Sequence, residues 1–524
     1  MNTDTPPNSK INNHSINRRT ALKTALAAGS VAITGCLSGS DGGGTEFRVA
    51  APWEATIDPL DGGLQTRRLG ITEALVGVDY EANPAPELAT EWTSHDSGQR
   101  WRFSLREDVT FHDGEPFDAA AAVKSLRRTV DSPVFTGIPV DTVEASGSHS
   151  IEVTTTAPFA PLPAHLARSQ AAILSPGAYD DGTVTAPIGT GPLKVDSWES
   201  NTQIRTVRND EYYGTVPAVE SVRYETITDD QTRRLSLESG EIEMARILPV
   251  DKVDALRSTD DIDVHTYQLS RCRFLVFDTQ SPPFDDARVR RALNYAVDKQ
   301  VLIDSVLGGV GTPAVGPFPE SVTEWHNSAL EEYVHNPDRA RSLLAEAGWV
   351  SEGNDGVRSR EGDELSIEIM TYRARPRLAV IAEVLQSQLG NVGIDVDISV
   401  FEYPTMTERA EQNGFDCYLM AMSTLLYPDP DRLSNLYHSE ESILKHGYDN
   451  PEVDTLLEEA RTTFDRATRK RKYDRVQSVT HRDVPVSFLT YYTNVVALQS
   501  NTDGYRPHPT EVDYGIESIT VGDN

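Results

Sequence analysis

Few side chains in this sequence stand at spacings that make or break bonds. There is no Gly-x-Ser-x-Gly elbow, no His-Glu-x-x-His pair, no phosphate loop and no dinucleotide fingerprint, since Gly309-Val310-Gly311 lacks a third glycine and a helix behind it. His112 beside Asp113 falls in a turn, and His438 near Asp429 and Asp431 has the ingredients of a metal cluster. Lone histidines in loops are usually solvated, so both are expected to face water and no metal ligand is assigned. Cys272 and Cys417 have no Cys-x-x-Cys or His-Cys cluster around them; they either pair or stay as buried thiols, and neither is read as a nucleophile. What remains is binding chemistry, with no catalytic residue and no cofactor expected.

Composition narrows the partner. The chain has 524 residues, 48 Lys and Arg against 80 Asp and Glu, and a formal net charge of −32. Roughly two to four domains fit that length at about 100–200 residues each. So acidic a surface argues against nucleic acid, whose phosphates need cations. Only nine of the cations are Lys and 39 are Arg. A lysine-poor, carboxylate-rich surface is what hydration in concentrated salt favours, because repulsion is screened there within a few ångströms. The expectation is a halophilic protein.

The charge is uneven along the chain. The first 35 residues sum to +3 and the remainder to −35. Arg18-Arg19 precede an apolar stretch from Thr24 to Ile33, too short for a bilayer helix of ~20 residues and of the right length for a signal peptide. This segment resembles a twin-arginine signal, with Asn17 and Ala21 departing from the usual residues. It ends in Ile33-Thr34-Gly35-Cys36, which looks like a lipobox with Cys36 as the lipidated N-terminus, and a Gly/Ser-rich tether spans 36–45. The expected location is the outer face of the cell membrane, with the body held there by a lipid.

The elements behind any site read as alternating strands and amphipathic helices. Asp118 caps a helix over Ala119 to Arg128, Asp286 opens another, and Asn336-Pro337 starts a third that Gly348 closes. A strand from Ser366 to Met370, a helix from Leu378 to Leu389 and a strand from Asp395 to Val400 make a βαβ unit, hence an α/β fold with partly parallel sheets. Pro- and Gly-rich stretches at Pro158–Pro163, Ala186–Pro192, Gly308–Pro319 and Tyr427–Pro430 are expected loops or crossings.

Several separated motifs carry a resemblance. Pro86-Glu87-Leu88-Ala89-Thr90-Glu91-Trp92, Trp101-Arg102-Phe103-Ser104-Leu105-Arg106 and Phe111-His112-Asp113-Gly114-Glu115-Pro116-Phe117 come first. Pro187-Ile188-Gly189-Thr190-Gly191-Pro192-Leu193, Arg208 to Gly214 and Asp286 to Lys299 follow in order. From about Glu46 to its end the chain resembles the family 5 solute-binding proteins of ABC importers, which capture peptides or nickel complexes. The resemblance implies a type II periplasmic-binding-protein-like fold with two lobes, an extra inserted domain and a hinge of two chain crossings. Lobe I would comprise 46–75, 187–277 and 488–524, the inserted domain 76–186, and lobe II 278–487. It further implies a monomeric receptor that binds a small peptide or peptide-like ligand and hands it to an ABC permease and ATPase.

Site residues follow from the same resemblance. Arg375-Pro376, after Tyr372, is similar to the position that anchors a peptide carboxylate, a task suited to a bidentate guanidinium. Leu426 stands where dipeptide binders place an Asp for the peptide's amino group, ahead of Tyr427 and Asp429, and Arg168 lies near a position used by nickel-binding members. Tyr372, Arg375, Leu426, Tyr427, Asp429 and Arg168 are therefore the expected ligand contacts. Because Leu426 cannot hold an ammonium group, a nickel chelate or another small anion stays beside the peptide reading. A surface sensor or chaperone of the same fold, and a lipid-anchored peptidase, are the readings from other classes.

Overall fold

The computed structural model describes residues 46–351, 356–412 and 414–522. The signal sequence, Cys36 and the tether lie outside the described residues. Two long strands, Ile262–Phe277 and Val486–Gln499, organise the rest. They pair antiparallel from Ile262 opposite Gln499 to Val276 opposite Val486, and both are rich in the β-branched and aromatic residues that fit a pleated surface.

An eleven-stranded sheet grows from this pair, its shortest member, Thr312–Pro313, pairing antiparallel with Thr490 and Tyr491. Beside Val486–Gln499 lie, in order, Met244–Arg246, Glu46–Ala51, Ser221–Thr226, Gln203–Arg208 and Leu193–Glu199. Beside Ile262–Phe277 lie Cys417–Ser423, Ser366–Tyr372 and Asp395–Phe401. The last two strands pair in parallel across the helix Pro376–Gly390, which is the expected βαβ unit. Each long strand passes from one core to another. Ile262, Val495 and Ala497 pack with Leu237, Ile242 and Leu248, whereas Phe274, Val276, Phe488 and Tyr491 pack with Leu293, Ile369 and Leu419. The pairing register slips between Leu269 and Cys272 and again between Arg273 and Phe274, where the strands leave one core for the other.

A third core belongs to a four-stranded antiparallel sheet of Ala89–His95, Arg100–Leu105, Ser150–Thr155 and Val140–Gly147. The helix Ala119–Val130 lays Ala122 and Leu126 against Phe103, Ile151 and Val153. Its cap is local chemistry: the Asp118 carboxylate accepts the Ala121 N–H at 2.9 Å. Asp286 accepts from Arg288 N–H at 2.8 Å and Asn336 from Arg339 N–H at 3.0 Å, so the other two expected helices also begin at their capping residues. Gly348 follows the third with φ +90, the left-handed conformation that suits a glycine at a helix end.

Two expectations about polar side chains are corrected. His112 does not face water: its Nε2 is 2.9 Å from the Gly191 carbonyl, and burial pulls its pKa down to about 4. His438 is buried beside Glu458 at 3.5 Å, and its Nδ1 accepts the Glu440 N–H. Among the described residues no group of three or more His, Cys, Asp or Glu is placed to hold a metal ion. Cys272 and Cys417 are free and buried. They sit on neighbouring strands, but Cys272 pairs with Met422 and Cys417 with Phe277, five residues out of register. At ~3.4 Å per residue that separates them by about 17 Å, far beyond the ~7 Å limit for a disulfide. Among the described residues no helix is long and apolar enough to cross a membrane.

Candidate functional site

The alternation of a strand builds the first part of the site. Along Ile262–Phe277, Arg271 and Arg273 flank Cys272, so a period of two sends Cys272 into the core and both arginines to the opposite face. That face meets Tyr492 of the other long strand. The Arg273 guanidinium lies 4.4 Å from the Tyr492 ring centroid, Arg271 lies 5.6 Å away and Arg375 lies 5.8 Å away. Arg375 reaches the same ring as the N-cap residue of the helix Pro376–Gly390, whose N-terminal dipole adds positive potential there.

Among the described residues none of these three arginines forms an ion pair, and the one side-chain hydrogen bond among them runs from Arg273 Nη1 to Thr490 Oγ1 at 3.2 Å. Arg273 is only 5% exposed. Burial pulls its pKa down to about 10, and Arg375, Arg377 and Arg271 push in the same direction. Arg271 is lowered too, by burial and then by Arg375. Unpaired charge in such surroundings is expensive, so packing alone does not account for it. Arg68 extends the group: it stacks 4.5 Å from the Trp53 ring and its buried Nη1 has no partner.

A second arginine group surrounds Tyr427. The Arg168 guanidinium lies 5.4 Å from the Tyr427 ring and 5.2 Å from Phe135, donates from Nη1 to the Val134 carbonyl at 3.2 Å, and leaves Nε unpartnered. Arg432 donates to Asn435 at 3.1 Å and touches the Met422 sulfur at 3.4 Å, and it forms no ion pair among the described residues. Burial lowers the pKa of both. Tyr403 links the two groups, since its hydroxyl feels Arg432 and Arg375 together. Its ring packs edge-on against Tyr372 at 5.0 Å, and Tyr372 donates to the Ala421 carbonyl at 3.4 Å.

Of the expected contacts, Arg375, Tyr372, Tyr427 and Arg168 lie in or beside these groups. Leu426 is 42% exposed next to Tyr427 and brings no polar atom. Asp429 is committed elsewhere: both of its oxygens are taken by Arg469, at 2.6 and 2.5 Å, in a buried pair. The neighbouring Asp431 is held by Arg461 at 2.6 Å and by His165 at 3.4 Å. Arg271, Arg273, Tyr492, Arg432 and Arg68 were not among the expected contacts. The one local clue was Arg-Cys-Arg, two cations astride a core residue in an otherwise apolar strand.

Among the described residues no nucleophile stands beside a base in these groups, and guanidinium groups without an ion pair are chemically suited to an anion. The sequence pattern of the bacterial extracellular solute-binding proteins, family 5 Middle, matches residues 83–443. The nickel-binding periplasmic protein of Escherichia coli K12 is 26% identical over 490 residues, 89% of this chain and 93% of the relative. The probable D,D-dipeptide-binding periplasmic protein DdpA of the same strain is 28% identical over 438 residues, covering 81% and 82%. In three dimensions, NikA from Brucella suis superimposes with a TM-score of 0.82 at 24% identity, over 91% of this chain and all of that one. The family pattern spans more than half of the sequence, and the chain belongs to the family 5 extracellular solute-binding proteins of ABC transporters, which bind substrates and are not enzymes.

Proposed function

We propose that this chain is the receptor of an ABC importer for a carboxylate-bearing solute, which it delivers to a membrane permease and its ATPase. The observation that carries the reading is the convergence of Arg271, Arg273 and Arg375 on Tyr492 with no carboxylate partner among the described residues. A guanidinium offers a carboxylate two parallel N–H bonds, and here the burial cost is already met in the folded protein. Relatives named for a D,D-dipeptide and for nickel frame the choice between a peptide-like ligand and a metal chelate.

The long strands serve as the hinge in this reading, joining lobe I (46–75, 187–277 and 488–524, with 76–186 inserted) to lobe II (278–487). A ligand that touches both lobes favours the closed form by the contacts it makes only there, and the permease reads that form. Cys36 carries the lipid that keeps the receptor at the outer face of the membrane. Mass spectrometry of small molecules released on denaturing the protein, purified in high salt, tests the reading. A carboxylate-bearing peptide or chelate is expected. A neutral sugar or a purely cationic ligand would overturn it.

A further inference from the structure

Beside the core of Leu293, Val486 and Phe488 lies a buried ammonium group without a counter-ion. Lys299 is 5% exposed; its Nζ donates to the Ala314 carbonyl at 2.7 Å, and among the described residues it forms no ion pair. An ammonium group has three N–H donors, so two are left for other acceptors. Asp298 is turned to its own helix, Lys299–Val306, where it accepts the Gln300 N–H at 3.0 Å and the Val301 N–H at 3.2 Å. The carboxylate whose field reaches Lys299 is that of Glu332, which is exposed. Burial outweighs that field and pulls the Lys299 pKa down to about 8.

Lys299 lines a small cell together with Asn294, Tyr437, Gln477, Thr480 and His481, and among the described residues no carboxylate lines it. The centre of a water-sized particle has only about 10 Å³ to occupy there, which is room for one water or one monatomic ion. A larger outer pocket of about 370 Å³, with Arg291, Arg339, Arg482 and Glu332 on its walls, adjoins the cell. Tyr333 and His481 line both spaces, their rings 4.7 Å apart, and Tyr333 donates to the His481 carbonyl at 2.9 Å. A neutral water would fill the hydrogen bonds and leave the charge, and an uncompensated charge in the interior is costly.

We infer that this cell is a binding site for a single monatomic anion, chloride or another halide, held by the Lys299 ammonium group and reached from the outer pocket past Tyr333 and His481. The Tyr437 hydroxyl and the Asn294 amide are further donors on its walls. The rival occupant is a water, which would also serve Gln477 Oε1, a buried acceptor without a partner. The site is independent of the receptor reading, because its Lys299 belongs to none of the arginine groups described above. Since the cell exists only in the folded chain, an anion bound there stabilises the fold in proportion to its occupancy.

Urea unfolding of the full-length protein in mixtures of sodium chloride and sodium gluconate at constant ionic strength tests this. Gluconate is too large for the cell, so the mixtures vary chloride while the general effect of salt stays fixed. Once chloride exceeds its dissociation constant, the unfolding equilibrium constant is expected to fall about tenfold for each tenfold rise in chloride, as release of one ion on unfolding requires. Lys299→Met, which removes the charge at similar length, and Asn294→Asp, which supplies a resident carboxylate, are each expected to abolish that dependence. Crystals grown in bromide are expected to show an anomalous-scattering peak beside Lys299 Nζ. The same chloride slope in both variants as in the wild type would overturn the inference, and so would wild-type stability that follows ionic strength alone. A cell that holds only water, while bromide peaks stand elsewhere in the same crystal, would overturn it too. Should Lys299→Met fail to fold, Asn294→Asp and the bromide map of the wild type decide.

Discussion

Asp429 and Arg469 meet in a bidentate ion pair at 2.6 and 2.5 Å, each side chain only 7% exposed. Arg469 stands one turn into the helix Arg466–Asp483 and also donates to the Ala460 carbonyl at 2.9 Å. The pair therefore fastens the 427–431 turn, which carries Tyr427, to two helices.

Removing one member of such a pair strands the other charge in the interior. Asp429→Ala is expected to destabilise the protein by about 3–5 kcal/mol, whereas Asp429→Leu combined with Arg469→Met recovers most of the loss. Urea unfolding of the single and double variants measures both values. A loss below about 1 kcal/mol for Asp429→Ala would show that the turn does not depend on the pair.

Arg375 is expected to act on ligand and not on stability. Arg375→Ala should weaken binding of a carboxylate ligand by about 1.5–3 kcal/mol, roughly ten- to a hundredfold, as removal of a hydrogen bond to a charged group does. Titration calorimetry with the co-purified ligand reads the change. Unchanged affinity would take Arg375 out of the site.

Glu73 gives the fold a pH dependence. Its carboxyl is buried and accepts from Tyr213 Oη at 2.6 Å, Thr190 Oγ1 at 2.7 Å and Tyr212 Oη at 2.9 Å. Burial and then nearby Glu87 push its pKa up to about 7, and the three hydroxyl donors offset only part of this. A native pKa above the unfolded value of 4.5 means that the folded state holds the proton more tightly. This contribution is complete below about pH 4.5, falls as the pH rises to about 7, and is absent beyond; it amounts to ~3 kcal/mol. Glu73→Gln should flatten that segment of the stability profile, read by urea unfolding at successive pH values. A variant with the wild-type slope would assign the dependence to other groups.

The thiols are expected to be silent in the native protein. Burial pushes the Cys272 pKa up to about 12, and Cys417 is raised as well, first by burial. Alkylation of both by iodoacetamide at pH 8 should be negligible until denaturant is added, because the thiolate is the reacting form. Rapid labelling of the folded protein, followed by peptide mapping, would contradict this.

How much of this was legible depended on how far apart the interacting residues lie. Asp118, Asp286 and Asn336-Pro337 announced their helices because a cap binds an N–H two or three residues away. The strand, helix and strand from Ser366 to Phe401 were legible for the same reason, since periodicity is local. Arg271 and Arg273 were not, because Tyr492 and Arg375, which give them meaning, lie more than a hundred residues on. His112 was misread because its partner, the Gly191 carbonyl, belongs to a loop 79 residues away. Asp429 was drawn to the ligand by its place in a motif, while Arg469, forty residues later, decides what it does.

The antiparallel pair at the centre of the sheet sets the order of events during synthesis. Ile262–Phe277 finds its main partner in Val486–Gln499, a segment made more than two hundred residues later. Until that segment leaves the ribosome, Ile262–Phe277 is an open edge and Met244–Arg246 also lacks its outer neighbour. At ~5–20 residues per second, translating the intervening chain takes on the order of 10–50 s. During that interval the nascent receptor exposes unpaired strand edges, so its yield depends on what shields them before the last strand arrives.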